Sequence, residues 1–112
     1  MKVAIVGSRG YQDETRVRHY VMTELTTGDV VISGGAKGVD SWAADAARRR
    51  GLEVVEHLPN YDVYGAAAPK KRNAIIAIHC DRMVAFWDGS SSGTANAVTW
   101  AVTYRRPVEV IR

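Results

Sequence analysis

Residues 30–50 read VVISGGAKGVDSWAADAARRR and pass from a short apolar run through glycines into an alanine-rich segment. The run Val30–Ile32 is β-branched and predicts a buried strand, because such side chains pack well on a pleated sheet. The turn Ser33–Gly38 follows, and Val39–Arg50 predicts a helix that ends before Gly51. A strand that leads through a tight turn into a helix is the repeating unit of a parallel α/β sheet.

The same alternation continues in both directions along the chain. Further strands are predicted at Val3–Val6, Glu53–Val55, Met83–Phe86 and Val108–Ile111. Further helices are predicted over Asp13–Thr26, after Pro69 and after Gly93, the last with Val98, Ala101 and Val102 turned inward. We therefore predict a single α/β domain over residues 1–112. It is expected to be Rossmann-like and three-layered, with a mostly parallel sheet of about five strands and helices on both faces.

Composition excludes several classes of protein. The 112 residues are 46% hydrophobic and 24% charged, which is typical of a globular domain and excludes a disordered chain. The single cysteine, Cys80, excludes an internal disulfide and zinc sites built on cysteine pairs. His19, His57 and His79 are scattered, so we expect no metal site, and we expect no cofactor. No apolar run approaches the roughly 20 residues of a membrane helix, and no signal peptide is present, so we expect a cytoplasmic protein without a membrane partner.

The turns after the predicted strands indicate where a ligand binds. In an open parallel sheet this is the crevice beyond the carboxyl ends of the strands, where the connections diverge to opposite faces. Four turns are predicted to meet there: Gly7–Gly10, Ser33–Gly38, Pro59–Tyr61 and Trp87–Thr94. Glycine-rich turns that lead into helices present backbone N–H groups to anions, although the glycines serve equally well for tight turns alone. Neither G-x-G-x-x-G nor a P-loop occurs, which disfavours a dinucleotide dehydrogenase or a P-loop nucleotidase.

We predict that the ligand-binding residues come from these turns and from the helix after Pro69. They are Gly7, Ser8, Arg9, Ser33, Gly34, Gly35, Ala36, Lys37, Gly38, Asp40, Arg72, Asn73, Trp87, Asp88, Gly89, Ser90, Ser92, Gly93 and Thr94. The net charge of +3 is mild for a nucleic-acid binder. Arg48–Arg50 and Arg105–Arg106 are expected to close helices. The cluster Lys70–Arg72 is expected in a first helical turn, where the helix dipole disfavours cations, so an anion nearby would explain it.

The acids and aromatic rings near these turns each allow a structural interpretation and a functional one. Asp40 either caps a helix or takes part in chemistry, and Asp88 either accepts ribose hydroxyls or shapes its turn. Asn73 either reads a base or ribose edge or is an ordinary helix asparagine. Most large aromatic side chains belong to cores, and the rings best placed for stacking on a base are Trp87, Tyr61 and Tyr64. The stretch Leu58–Ala68 is predicted to be irregular and, because of its length, functional.

Four motifs in order resemble the SLOG superfamily, with the small YspA/YpsA-related SLOG proteins as the most similar branch. They are Gly7–Arg9, Ser33–Asp40, the spaced residues Pro59, Tyr64, Gly65, Pro69, Arg72 and Asn73, and Ala85–Thr94. The resemblance implies a Rossmann-like fold that binds nucleotides or nucleotide-derived ligands, often as a sensor or effector in bacterial or prophage settings. It also implies a homo-oligomer, and Ala66–Ala68 and Trp100 are apolar candidates for the partner face.

Two groups of relatives supply alternative functions. The LOG phosphoribohydrolases have an arginine before the fourth strand, which Arg72 matches, and a G-G-x-G-T-x-x-E motif after it, of which Gly93 and Thr94 match the G-T. Ala97 stands at the position of the catalytic glutamate. The first alternative to ligand binding is therefore nucleotide N-glycoside hydrolysis with an altered catalytic acid. The second is binding of single-stranded DNA, as in the DNA-processing protein DprA, against which the modest net charge argues.

Overall fold

Strands and helices alternate along the whole chain in a computed structural model that describes residues 1–112. The strands are β1 (Lys2–Gly7), β2 (Val30–Ser33), β3 (Glu53–Glu56), β4 (Arg82–Phe86) and β5 (Val108–Ile111). The helices are α1 (Glu14–Glu24), α2 (Val39–Arg49), α3 (Tyr61–Tyr64), α4 (Ala68–His79) and α5 (Ser92–Thr103), with a 3₁₀ helix at Gly65–Ala67. All five predicted strands are present.

The sheet is entirely parallel and has the strand order β3-β2-β1-β4-β5. Its central strand, β1, is buried on both faces because its side chains alternate between two cores. Val3 and Ile5 pack with residues of α1 and α2, whereas Ala4 and Val6 pack with residues of α4 and α5. The predicted Rossmann-like, three-layered fold is confirmed.

The strand order creates one point at which the connections diverge. From β1 the chain continues through α1 to β2, and from β4 it continues through α5 to β5 on the opposite side. The strands β1 and β4 are nevertheless neighbours, with Gly7 opposite Phe86 at their carboxyl ends. Diverging connections leave a crevice above such a strand pair.

The stretch predicted to be irregular, Leu58–Ala68, contains α3 and the 3₁₀ helix. Asn60 starts α3, since its side-chain oxygen accepts a hydrogen bond from the backbone N–H of Val63 at 3.2 Å. Gly65, with φ of +55°, ends it. The prediction of an irregular loop was therefore wrong. The two short helical turns depend on the Asn60 cap and on Gly65, and they show no apolar periodicity in the sequence.

Two predicted apolar positions lie elsewhere than expected. Val102 was predicted to face inward with Ala101, but Ala101 is fully buried while Val102 is 64% exposed. Within the proposed partner face, Ala68 is fully buried in this chain's own core and is not available to a partner. Trp100 is half-buried, stacks on Tyr104, and keeps its buried indole N–H without a hydrogen-bond partner. None of the helices is long and apolar enough to cross a membrane.

Two arginines each bind the carboxyl end of a neighbouring helix, and not the end of the helix that they directly follow in the chain. Arg50, at the end of α2, donates to the carbonyls of Val21 (2.8 Å) and Leu25 (2.5 Å) at the end of α1. Arg106 lies beyond α5 and donates through Nε to the Ala77 carbonyl (3.1 Å) near the end of α4. Cations favour the carboxyl ends of helices, as predicted, but these two tie neighbouring helices together.

Candidate functional site

A cavity of about 430 Å³, here called the first cavity, lies above the carboxyl ends of β1 and β4. Its volume falls within the ~300–1,000 Å³ range of small-molecule sites. Predicted ligand-binding residues that line it are Gly7, Arg9, Gly34, Ala36, Asp40, Arg72, Asn73, Asp88, Gly93 and Thr94. The fold therefore brings together residues from the turns after β1, β2 and β4 and from α4, as the strand-end rule predicts.

The other predicted residues lie outside this lining. They are Ser8, Ser33, Gly35, Lys37, Gly38, Trp87, Gly89, Ser90 and Ser92. Several of them shape the turns: Ser33 Oγ accepts a hydrogen bond from the Gly35 N–H at 3.1 Å. Gly38 has φ of +81°, a conformation that favours glycine, and it lies directly before α2. Lys37 is exposed and away from the cavity wall.

Ser8 supports the floor of the first cavity. It is 1% exposed, and its Oγ lies 3.2 Å from Thr94 Oγ1 in the first turn of α5. The same oxygen accepts a hydrogen bond from the backbone N–H of Asp88 at 3.1 Å. The Ser8 hydroxyl is thus engaged on two sides and joins the end of β1 to the turn after β4.

Asp88 shapes the turn that precedes α5. Its Oδ1 accepts hydrogen bonds from the backbone N–H groups of Ser90 (2.9 Å) and Ser91 (2.8 Å). These two bonds lower the pKa of the Asp88 carboxyl, since they stabilise its charged form. The other oxygen, Oδ2, lies beside Gly10, where an added Cβ would stand 3.3 Å away. Asp88 is therefore a turn-forming carboxylate with one oxygen left to accept a hydrogen bond from a ligand.

Asp40, in the first turn of α2, is the buried acid of the cavity wall. It is 5% exposed, and its Oδ2 accepts a hydrogen bond from the Ala36 N–H at 3.2 Å. Burial raises the pKa of its carboxyl to about 6, against the opposing influence of the Ala36 N–H and of Arg72. Asp40 thus both holds the glycine turn and changes charge close to neutral pH.

Arg72 and Arg9 are the cations of the first cavity. Arg72 is half-buried and donates to the Gly34 carbonyl through Nη1 and to Asn73 Oδ1 through Nε at 3.0 Å. Burial lowers the pKa of its guanidinium, with Asp40 opposing this effect, but an arginine stays charged in water at any ordinary pH. Arg9 is exposed at the mouth, and its side chain makes no hydrogen bond or ion pair.

Asn73 connects α4 with α5. Its amide nitrogen donates to Asn96 Oδ1 at 3.1 Å and to the Gly93 carbonyl at 3.4 Å. Its amide oxygen accepts from Arg72, and the residue is 7% exposed. The side chain is therefore occupied by protein partners, and Asn96 is a positioning residue that the sequence did not indicate.

Of the three rings predicted to be available for stacking, two have a cationic side chain near the ring, and Tyr64 is nevertheless exposed. The indole N–H of Trp87 donates to a carbonyl in its own turn at 3.0 Å, and the Arg112 guanidinium lies 5.7 Å from the centre of its ring. Lys71 Nζ lies 5.9 Å from the ring centre of Tyr64. Tyr61 is 56% exposed, and its ring has no aromatic or cationic partner.

Several lining residues are absent from the prediction: Val6, Gly10, Pro69, Ile76, Ser91 and Ala97. Ser91 could have been predicted from the sequence, since serine is a typical N-cap residue. Its Oγ accepts a hydrogen bond from the N–H of Thr94, three residues later, at 3.4 Å. Val6 and Ile76 resemble core residues in sequence, and they are core residues whose outer atoms form the cavity wall. Ala97, which the resemblance to the LOG enzymes aligns with their glutamate, is 2% exposed and presents only a methyl group.

No group of three or more His, Cys, Asp or Glu side chains is arranged to hold a metal ion. Two of the histidines predicted to be scattered do meet, because the rings of His57 and His79 stack with their centres 5.4 Å apart. Cys80 is buried at the end of α4, and burial raises the pKa of its thiol. This cysteine is therefore not activated as a nucleophile.

Solved structures of DprA are similar to almost the whole chain. DprA from Streptococcus pneumoniae has 25% identity and a TM-score of 0.80 over 99% of this chain and 50% of its own. DprA from Helicobacter pylori, whose structure is described in terms of its single-stranded DNA binding mode, has 20% identity and a TM-score of 0.81 over 98% and 64%. The chain thus spans about half the length of the first protein and under two thirds of the second.

A third similar structure is TM1055, a structural genomics target, with 23% identity and a TM-score of 0.72 over 96% of this chain and 71% of its own. No curated protein matches the chain significantly. At the level of sequence, the family model of the YspA, cpYpsA-related SLOG family matches residues 1–64, which include β1, the glycine turn after β2 and α2. The chain therefore belongs to the YspA, cpYpsA-related SLOG family.

Proposed function

We propose that this protein binds a nucleotide or nucleotide-derived ligand in the first cavity and acts as a sensor or effector module. The observation that carries the proposal is the position of the cavity, at the point where the connections of β1 and β4 diverge, with two arginines in its wall. Ligands of open parallel sheets bind at such points. The family membership and the Rossmann-like fold support the same function.

A phosphate group is the expected occupant of the arginine side of the cavity. Arg9 is free to pair with an anion, and Arg72 is held by the Gly34 carbonyl at the cavity wall. Gly34 has no side chain to intrude: an added Cβ would stand 2.6 Å from Arg72 Nη1 and 2.9 Å from Asp40 Oδ2. The amino end of α5, with Gly93 in the lining, adds the positive end of a helix dipole.

A ribose is the expected occupant of the opposite side, near Asp88. The carboxylate has one oxygen without a protein donor, and ribose hydroxyls are donors. Asn73, whose amide is bound by protein groups, serves in this proposal to position Arg72 and α5. Val6 and Ile76, which line the cavity and are otherwise buried, offer apolar surface to the carbon atoms of the sugar in this proposal.

Isothermal titration calorimetry with AMP, ADP-ribose, NAD and cyclic AMP tests the proposal. Removal of a charged hydrogen-bond partner costs about 1.5–3 kcal/mol, so Arg9→Ala is expected to weaken binding of the active ligand about tenfold or more. Arg105→Ala is the matched control, since Arg105 is exposed and makes no side-chain contact with an acid or carbonyl. Absence of binding by every nucleotide, or equal losses in both variants, contradicts the proposal.

Binding of single-stranded DNA is the second candidate, and the similarity to DprA favours it. Exposed Lys70 and Lys71, together with Arg9, offer cations to a sugar-phosphate backbone. Fluorescence anisotropy with a labelled oligothymidylate over a series of salt concentrations tests it. The logarithm of the affinity is expected to fall against the logarithm of the salt concentration with a slope of about −0.7 per phosphate contacted. No binding at low salt contradicts this candidate.

Nucleotide N-glycoside hydrolysis is the enzymatic candidate, and Asp40 favours it, because a cavity carboxyl with a pKa of about 6 suits proton transfer near neutral pH. The methyl group of Ala97 at the glutamate position counts against it. Chromatography of nucleotides incubated with the protein tests the candidate by the release of free base. Release that persists in both Asp40→Asn and Asp88→Asn excludes these acids as essential, and no release in the wild type excludes the reaction.

A further inference from the structure

A second cavity, of about 470 Å³, is lined by the segment Leu58–Asp62. Leu58 packs against the glycine turn of the first cavity so closely that a Cβ on Gly35 would collide with Leu58 Cδ2. Gly35 stands between Gly34 and Ala36, which line the first cavity, so its contact with Leu58 brings the two cavities side by side.

The second cavity presents apolar surface that no part of the chain covers. Leu58 is 65% exposed and Tyr61 is 56% exposed, and both lie in its lining. Of the three candidate stacking rings, Trp87 and Tyr64 each have a cationic side chain nearby, whereas Tyr61 has none and is the one that lines the second cavity. An exposed leucine and an exposed tyrosine ring flanking one concavity match the chemistry of a planar, weakly polar group.

The charges differ between the two cavities. The second contains the Asp62 carboxylate, which has no cationic partner, and it contains no lysine or arginine. A phosphate is therefore disfavoured there, whereas Arg9 and Arg72 favour it in the first cavity. An extended ligand would accordingly place its phosphate at Arg72 and an uncharged ring beyond it.

We propose that Leu58 and Tyr61 bind the nucleobase of a two-lobed ligand, whose ribose-phosphate end occupies the first cavity and whose linking phosphates lie at Arg72. The ligand class is a nucleoside diphosphate joined to a sugar. This inference rests on the proposed function and narrows it from nucleotides in general to ligands that span both cavities.

A matched pair of probes tests the inference by calorimetry: ribose 5-phosphate, which has no base, and ADP-ribose, which contains the same group joined to an adenosine phosphate. Wild-type protein is expected to bind ADP-ribose at least fivefold more tightly, since base stacking on an aromatic ring accounts for about 5- to 150-fold in affinity. Tyr61→Ala is expected to remove that advantage and to leave ribose 5-phosphate binding unchanged, while Tyr61→Phe retains it. Val63→Ala is the control, because Val63 is exposed on the same helix but lies outside the second cavity.

The outcomes separate the two proposals. Equal affinity of the wild type for both probes, or an unchanged ADP-ribose affinity in Tyr61→Ala, overturns the role of the second cavity while the nucleotide site at Arg72 stands. A loss of affinity for both probes in Tyr61→Ala also overturns it, since the tyrosine would then support the site rather than the base. If neither probe nor any other nucleotide binds the wild type, the proposed function fails together with this inference.

Discussion

Ser8 Oγ and Thr94 Oγ1 lie 3.2 Å apart and are both buried, although 86 positions separate the two residues in the chain. Their contact joins the carboxyl end of β1 to the first turn of α5, across the floor of the first cavity. Because Ser8 also accepts the Asp88 N–H, one hydroxyl fixes two of the three turns that form the site. Ser8, which was predicted to bind a ligand, thus has a structural role in this fold, and its contact with a ligand stays a prediction.

Replacement of this hydroxyl is expected to destabilise the protein. Ser8→Ala removes the acceptor of the Asp88 N–H and one of the two partners of the Thr94 hydroxyl, which keeps Ser91 Oγ at 3.3 Å. Loss of a partner at a buried polar group costs about 1–3 kcal/mol. Urea unfolding is the measurement, with Ser92→Ala as the control, because Ser92 is exposed and its side chain makes no hydrogen bond. Equal free energies of unfolding for the two variants would contradict the supporting role.

Two glycines of the site are expected to respond oppositely to alanine. A Cβ on Gly7 would lie 2.5–2.6 Å from the side chain of Val39, which is fully buried and has no room to move. Gly7→Ala is expected to lower the free energy of unfolding by about 1–3 kcal/mol, as overpacking does. Gly93→Ala, where the nearest atom is Ser91 Oγ at 3.9 Å, is expected to be neutral or to stabilise α5 by up to about 1 kcal/mol. The denaturant concentrations at the midpoints of unfolding of both variants test this expectation.

The arginine that joins α4 to the end of α5 is expected to matter for stability. Arg106 donates to the carbonyls of Ala77 (3.1 Å) and Ile78 (2.9 Å) near the end of α4. Arg106→Met removes both hydrogen bonds and a cation at the carboxyl end of a helix. We expect the free energy of unfolding to fall by about 1–2 kcal/mol. Thermal unfolding measures it, and Arg105→Met, which removes an exposed charge only, should leave the melting temperature nearly unchanged. If the melting temperature fell by a similar amount in both variants, the effect would instead come from the change in net charge.

Stability is expected to depend on pH through Asp40. The pKa of its carboxyl is raised from 3.8 to about 6, so the folded state holds this proton more tightly than the unfolded chain does. The stabilisation from protonated Asp40 is complete below pH 3.8 and is lost as the pH rises through about 6. At 1.36 kcal/mol per pKa unit, the loss amounts to about 3 kcal/mol.

Comparison with Asp40→Asn isolates this effect, because asparagine keeps an acceptor for the Ala36 N–H and does not titrate. Relative to the variant, the wild type is expected to lose stability between about pH 4 and about pH 7 and to remain level above that range. Burial, followed by the neighbouring His79, lowers the pKa of His57, whose contribution is lost as the pH falls. His57 is present in both proteins, so its opposite pH dependence cancels when their free energies of unfolding are subtracted. A difference that stays constant with pH would rule out a raised pKa.

The sheet was predictable because its strands are short apolar runs, several of them rich in β-branched residues, and glycine or polar turns follow most of them. Val3–Val6 and Met83–Phe86, for example, lie within β1 and β4. Val17, Val21 and Leu25, spaced four residues apart, are all buried against the sheet as their periodicity predicts. The place of the first cavity followed from the same pattern, since it depends only on where parallel strands end.

Contacts that depend on the three-dimensional path of the chain were not predictable. The link from Asn73 to Asn96 depends on how α4 and α5 cross, and Arg106 closes a helix that ended 27 positions earlier. The role of Ser8 depends on Asp88 and Thr94 arriving at the same point from β4. The helices within Leu58–Ala68 are too short to show a periodic pattern, so the second cavity could not be inferred from sequence.

The lining of the first cavity draws on β1, α2, α4 and α5, which come together only when both halves of the chain have folded. A molecule that occupies it therefore has no counterpart site in the unfolded chain, and its binding free energy adds to the free energy of unfolding by mass action. At a concentration 100 times its dissociation constant, such a molecule contributes about 2.7 kcal/mol. The melting temperature is thus a direct reading of occupancy, whatever the chemical identity of the occupant.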